Sequence, residues 1–220
     1  MDLFPLFNSL RITTIAVSFA FVLGIFAAYS VLRLPRLIKG ICDTLFTIPL
    51  VLPPTVVGYF ILVWLSPTGV AGSKIFEWFS ITITMRWYAA AVAVAIIAFP
   101  FIYRTARGAF ENFDQNLLDA GRTLGLSEKY IFFRILLPNC KHGIIAGTVI
   151  AFARGLGEYG ATSMVAGYIS GKTATVSTSV AYFWQINRED MAFYWVMINL
   201  AVSVVFMVVI NVLNKPKVRS

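Results

Sequence analysis

Of 220 residues, 59% are hydrophobic and 13% charged, with a mean hydropathy of +0.79, which excludes an ordinary soluble domain, where about 25% charged residues is usual. The net charge of +8 is spread over several loops, so it reads as a membrane-topology and lipid signal and argues against a nucleic-acid groove. One histidine and two cysteines, with no phosphate-cradling glycine loop, leave little for a metal centre, a bound nucleotide or an intramembrane enzyme.

A bilayer core of about 30 Å needs about 20 helical residues. Five stretches meet that length, residues 9–32, 44–65, 87–103, 143–166 and 193–213, predicting an all-α integral membrane protein of five core spans in a single domain, 1–220. The first run is long and has no basic leader, so it is expected to stay as a membrane helix. Pro49, Pro53 and Pro54 interrupt the second span, where the break either shapes a cavity or is a static kink. Residues 76–85 are apolar but short, and predict an interfacial or re-entrant piece, with a sixth span as the alternative.

Basic residues then set the orientation. With the N-terminus outside, the inner segments hold Arg33, Arg36, Lys39, Arg104, Arg107, Arg122, Lys129, Arg134, Lys141, Lys215, Lys217 and Arg219, while the outer ones hold only Arg11, Lys74, Arg86, Lys172 and Arg188. The C-terminus is therefore expected inside. Cys42 and Cys140 fall near that face and are expected to be free thiols, and His142 reads as a polar anchor at a helix start.

The long inner loop, residues 104–141, carries the most specific signal. Residues 116–124 predict a short surface helix with Leu117, Leu118, Gly121 and Leu124 on one stripe and Asp119 and Arg122 turned aside. Gly125 stops it, Ser127 caps a second helix with Glu128 in its first turn, and Pro138 ends that second helix.

In the fourth span Arg154 and Glu158 are four apart and can pair, either as a gate beside the path or as a helix-fixing ion pair. Gly155, Gly157 and Gly160 beside them allow close helix approach, with pore lining and packing both open. The polar stretch from Ser170 to Ser179 could touch a binding protein, line the outer mouth or be a solvated loop. Thr162, Ser163, Thr173 and Thr175 are hydroxyl donors suited to a passing dianion.

The stretch Asp119-Ala120-Gly121, three residues, Gly125, nine residues, Ile135-Leu136-Leu137-Pro138 resembles the cytoplasmic signature of ABC importer permeases, Glu-Ala-Ala, three residues, Gly, nine residues, Ile-x-Leu-Pro. Asp119 and Gly121 depart from that pattern. Residues 48–58, 69–72, 120–125 and 153–167 are similar to the molybdate permeases of that family, with sulfate permeases sharing much of the last motif. The resemblance implies a homodimer, a pair of cytoplasmic ATPase subunits that bind ATP and Mg, no cofactor on this chain, and an external protein that delivers molybdate or tungstate. It implies that Asp119, Ala120, Gly121, Arg122, Gly125 and Pro138 form the handle on which the ATPase acts, with small residues at 120 and 121 admitting close approach or merely helping the loop fold. A sulfate or thiosulfate permease is the nearest alternative. A stand-alone ion-coupled transporter is another class, but it would show internal repeats and ionisable residues in several spans.

Overall fold

A computed structural model of the chain describes residues 2–213, with side chains through residue 208. Lys215, Lys217 and Arg219 of the orientation argument lie outside the described residues. The helices are α1 (Phe4–Leu32), α2 (Arg36–Thr47), α3 (Pro54–Leu65), α4 (Val70–Phe79), α5 (Trp87–Glu111), α6 (Gln115–Thr123), α7 (Glu128–Tyr130), α8 (Leu137–Asn139), α9 (Lys141–Leu156), α10 (Gly160–Val165), α11 (Val176–Gln185) and α12 (Glu189–Leu213). Among the described residues three of these, α1, α5 and α12, are long and apolar enough to cross a membrane, or up to five spans if each of two bent helix pairs counts as one.

Helices α1 and α5 lie side by side and run the same way, since Arg11 reaches Trp87 at one end and Tyr29 packs edge-on to Phe110 at the other. Helix α9 runs back against both, with Gly143 beside Ala109 and Gly155 beside Val94 and Thr13. One end of the molecule therefore gathers the starts of α1 and α5 with the loop after α10. The opposite end gathers α6 to α8.

The second predicted span, 44–65, is not one helix. Helix α2 and a 3-10 turn (Ile48–Leu50) meet α3 at 104°. Proline removes the backbone donors at 49, 53 and 54; Pro53 stands at the N-cap of α3 and Pro54 at its first position, where a missing N–H costs nothing. At about 1.5 Å per residue, the twelve residues of α3 cover only about 18 Å, short of a bilayer core.

The fourth predicted span, 143–166, is also broken. Helix α9 stops at Leu156, residues 157–159 are non-helical, and α10 restarts at Gly160. Helix α10 packs against α3 so tightly that a β-carbon at Gly58 would fall 2.7 Å from Ala161 Cα. Glycine is required there by the approach of two backbones.

The third predicted span, 87–103, continues to Glu111, because Tyr103, Ala106 and Phe110 extend its buried stripe and join the inner core with Ile25, Ala28, Ile131, Phe132 and Leu136. Arg104 and Arg107 thus sit on a helix and not in a loop. The piece expected at 76–85 straddles the end of α4, which closes at Ser80 in the left-handed conformation (φ 54°). At ten residues α4 is too short for the alternative sixth span. Cys42 and Cys140 are free thiols; Cys140 is buried, and its S–H donates to the Ala109 carbonyl at 3.3 Å. His142 is exposed at the start of α9.

Candidate functional site

The loop helix forms nearly where the sequence places it. Asp114 caps α6 by accepting the Asn116 N–H at 2.9 Å. At the other end Gly125 adopts φ 73°, with its N–H on Arg122 O and the Leu126 N–H on Gly121 O, the paired bonds that close a helix through a left-handed residue. Ser127 then accepts the Tyr130 N–H and opens the next helical run.

The stripe of four expected on α6 is split in two. Leu118 and Gly121 are buried, and a β-carbon at Gly121 would lie 3.4 Å from Ile131 and from Ile135. Leu117 and Leu124 are 53% and 78% exposed, and with exposed Ala120 they form an i, i+3, i+7 row on the adjoining, uncovered side. Gly121 faces its own chain, and Leu117, Ala120 and Leu124 are left as the uncovered apolar row. Asp119 and Arg122 pair with each other at 2.6 Å.

Charge ties this helix to the first span. Glu128 contacts Arg122 Nε at 2.8 Å and Arg33 Nη2 at 2.5 Å, and the Tyr29 hydroxyl donates to it at 3.3 Å. The Arg122 guanidinium holds the Glu128 carboxyl below the usual carboxylate range. Each contact is exposed and individually weak, but one carboxylate joins two elements. A second set joins α2 to α5: Arg107 pairs with Asp43 and, at 3.2 Å, with Glu111, which also meets Lys39 at 2.5 Å.

The second helical run ends one residue past Pro138. The run from 128 passes through a π turn (Ile131–Leu136) and continues to Asn139. The widened turn lies just where proline withholds a donor, and the chain bends by 70° at Cys140.

Arg154 and Glu158 do meet, Nη1 to Oε2 at 2.7 Å, although Glu158 lies past the end of α9. The contact is one of charges, because no N–H points along it and Oε2 has no hydrogen bond. Glu158 Oε1 accepts the Ala161 N–H at 2.9 Å and so starts α10. The pair is lopsided: the Glu158 side chain is 1% exposed and that of Arg154 is 36% exposed. Gly155 packs against Val94 and Thr13, and Gly160 against Pro54 and Thr55, whereas a β-carbon at Gly157 would approach only its own helix.

The four hydroxyls do not form one donor set. Ser163 donates to Gly160 O, Thr173 to Gly167 O, and Thr175 shares a capping box with Thr178. Only Thr162 keeps a buried hydroxyl with no partner. The segment 170–179 is not a solvated loop either, since Thr173, Thr175, Thr178 and Ser179 are buried. Asn8 donates to Ala174 O and the Val176 N–H to Ser9 Oγ, both at 2.9 Å, which docks the unforeseen helix α11 onto α1.

Helix α6 is thus held to α1 by charge at one end of the apolar bundle, with an exposed apolar row. Residues 20–220 match the family described as binding-protein-dependent transport system inner membrane component. The chain belongs to this family. The permease is 42% identical over 172 residues to the molybdenum transport system permease protein ModB of Escherichia coli K12, covering 78% of this chain and 75% of that one. It is 31% identical over 169 residues to the sulfate transport system permease protein CysT of Salmonella typhimurium, covering 77% and 60%. In fold it is similar to a solved bacterial alginate ABC transporter in complex with an alginate pentasaccharide-bound periplasmic protein, with TM-score 0.72, 17% identity and coverage of 97% of this chain and 78% of that one. The permease is thus a multi-pass inner-membrane transport subunit and not an ATPase.

Proposed function

We propose that this permease forms, as a homodimer, the path by which molybdate or tungstate is imported, driven by two ATPase subunits seated on α6 and supplied by an extracytoplasmic oxyanion-binding protein. The observation that carries the reading is the 42% identity to a molybdenum permease, against 31% to a sulfate permease that the chain covers less completely. The exposed row Leu117, Ala120 and Leu124 supports the ATPase seat, and the periplasmic protein in a solved neighbour's complex supports the supply. Energy from ATP reaches the spans through Glu128 and through the buried packing of Leu118 and Gly121.

The test is uptake into proteoliposomes holding the permease, its ATPase and its binding protein. Molybdate or tungstate accumulation that depends on ATP and resists excess sulfate is expected; competition by equimolar sulfate would move the assignment to the sulfate class.

The basic-residue bias predicts α6 inside and the loop after α10 outside. In a background lacking Cys42 and Cys140, Lys172→Cys should react with an impermeant thiol reagent in intact cells, and Lys129→Cys only after lysis. The opposite pattern would invert the orientation.

A further inference from the structure

We propose that the cavity at the α1 and α5 starts is a reception site for a tetrahedral oxyanion. It has a volume of about 590 Å³, within the range of ligand pockets, and Arg11, Arg86 and Lys172 all line it together with Thr82 and Thr84. The three cations come from three separate segments: the third turn of α1, the residue before α5 and the loop after α10. This placement runs against the membrane's usual bias. Only five basic residues are assigned to the outer side, and three of them share this one cavity.

No carboxylate pairs with any of the three among the described residues. Arg11 lies over the Trp87 ring at 4.1 Å and donates to Asn8 Oδ1 at 3.0 Å, contacts that aim the guanidinium without neutralising it. Asp2, at this same end, spends an oxygen on the Phe4 N–H. Like charges gathered around a cavity repel one another until an anion enters, and a tetrahedral oxyanion offers an oxygen to each.

The wall is also held in a strained form. Met85, beside Arg86, adopts φ 59°, and its N–H donates to Val165 O at 2.9 Å, so the cavity rim is tied to the end of α10. Exposed cations bind an oxyanion weakly enough to let it leave, as a transport path requires.

The inference rests on the oxyanion-import reading, and its test is separate from it. The complex of permease and ATPase, without the binding protein, is placed in phosphatidylcholine nanodiscs and dialysed against molybdate. Binding is expected, weakened by roughly tenfold or more in the double variant Arg86→Gln with Lys172→Gln. It should be kept in Arg86→Lys with Lys172→Arg and in Lys74→Gln. Addition of phosphatidylglycerol should leave it unchanged.

Equal binding by wild type and the double glutamine variant, or none by wild type, overturns the site. Displacement by phosphatidylglycerol would make it a lipid headgroup site, and weakened docking of the binding protein with unchanged dialysis would make it a protein contact; either result overturns the proposal. If wild type imports molybdate and dialysis fails, only this inference falls, whereas absence of any oxyanion import sinks the functional reading.

Discussion

Leu117→Glu with Leu124→Glu is expected to release the ATPase from the membrane and bring uptake to background, with the chain still inserted. Both side chains stand on the exposed row of α6, Leu124 more fully than Leu117, and neither belongs to the buried core. Covering a leucine is worth about 1.5–3 kcal/mol, and two lost from one seat weaken it by roughly a hundredfold or more. Gly121→Ala is the internal contrast. Its new methyl would meet Ile131 and Ile135 at 3.4 Å, an ordinary contact, and alanine favours the helix by about 1 kcal/mol, so ATPase binding should be retained. Gly121→Trp should instead unseat α6 from residues 131–135, since no room exists there for an indole, and abolish uptake by distorting the loop. Co-purification of the ATPase with each variant, alongside uptake, separates these effects. Full association of the double glutamate variant would remove α6 as the seat.

Arg154→Gln is expected to damage the protein more than Glu158→Gln. The carboxylate is buried and the guanidinium is partly exposed, so deleting Arg154 strands an unpaired charge at a cost of about 3–5 kcal/mol, while a lone Arg154 can reach solvent or headgroups. Glu158→Gln keeps a side-chain carbonyl for the Ala161 N–H and so keeps the start of α10. The double variant should recover much of the loss seen with Arg154→Gln alone. Thermal unfolding of the purified complex, with uptake measured in parallel, reads all three. The reverse order of damage, or simple additivity, would show that the pair is not coupled in this way.

Spacing alone makes Arg154 and Glu158 symmetrical partners on one helix, and it predicts that losing Glu158 strands the cation. The break at residues 157–159 is what turns Glu158 inward and leaves Arg154 near the surface. Proline clustering showed that the second span is interrupted, but a 104° turn needs the packing of α3 against α10 to hold it. Helix α11 is not legible in the sequence because its threonines read as polar loop, whereas they cap the helix and are buried against α1.

The sequence by itself determined the membrane class, the apolar lengths, the basic asymmetry, the stop at Gly125 after α6 and the helix start at Ser127. These depend on local composition and on hydrogen bonds between neighbours along the chain, which travel with the residues. Only the tertiary structure decided that Leu118 and Gly121 face inward while Leu117 and Leu124 face out, and that Arg11, Arg86 and Lys172 meet. The physical reason is that adjacent leucines on a helix are equivalent until another element covers one of them, and residues 75 to 161 positions apart meet only through the packing of α1, α5 and α10.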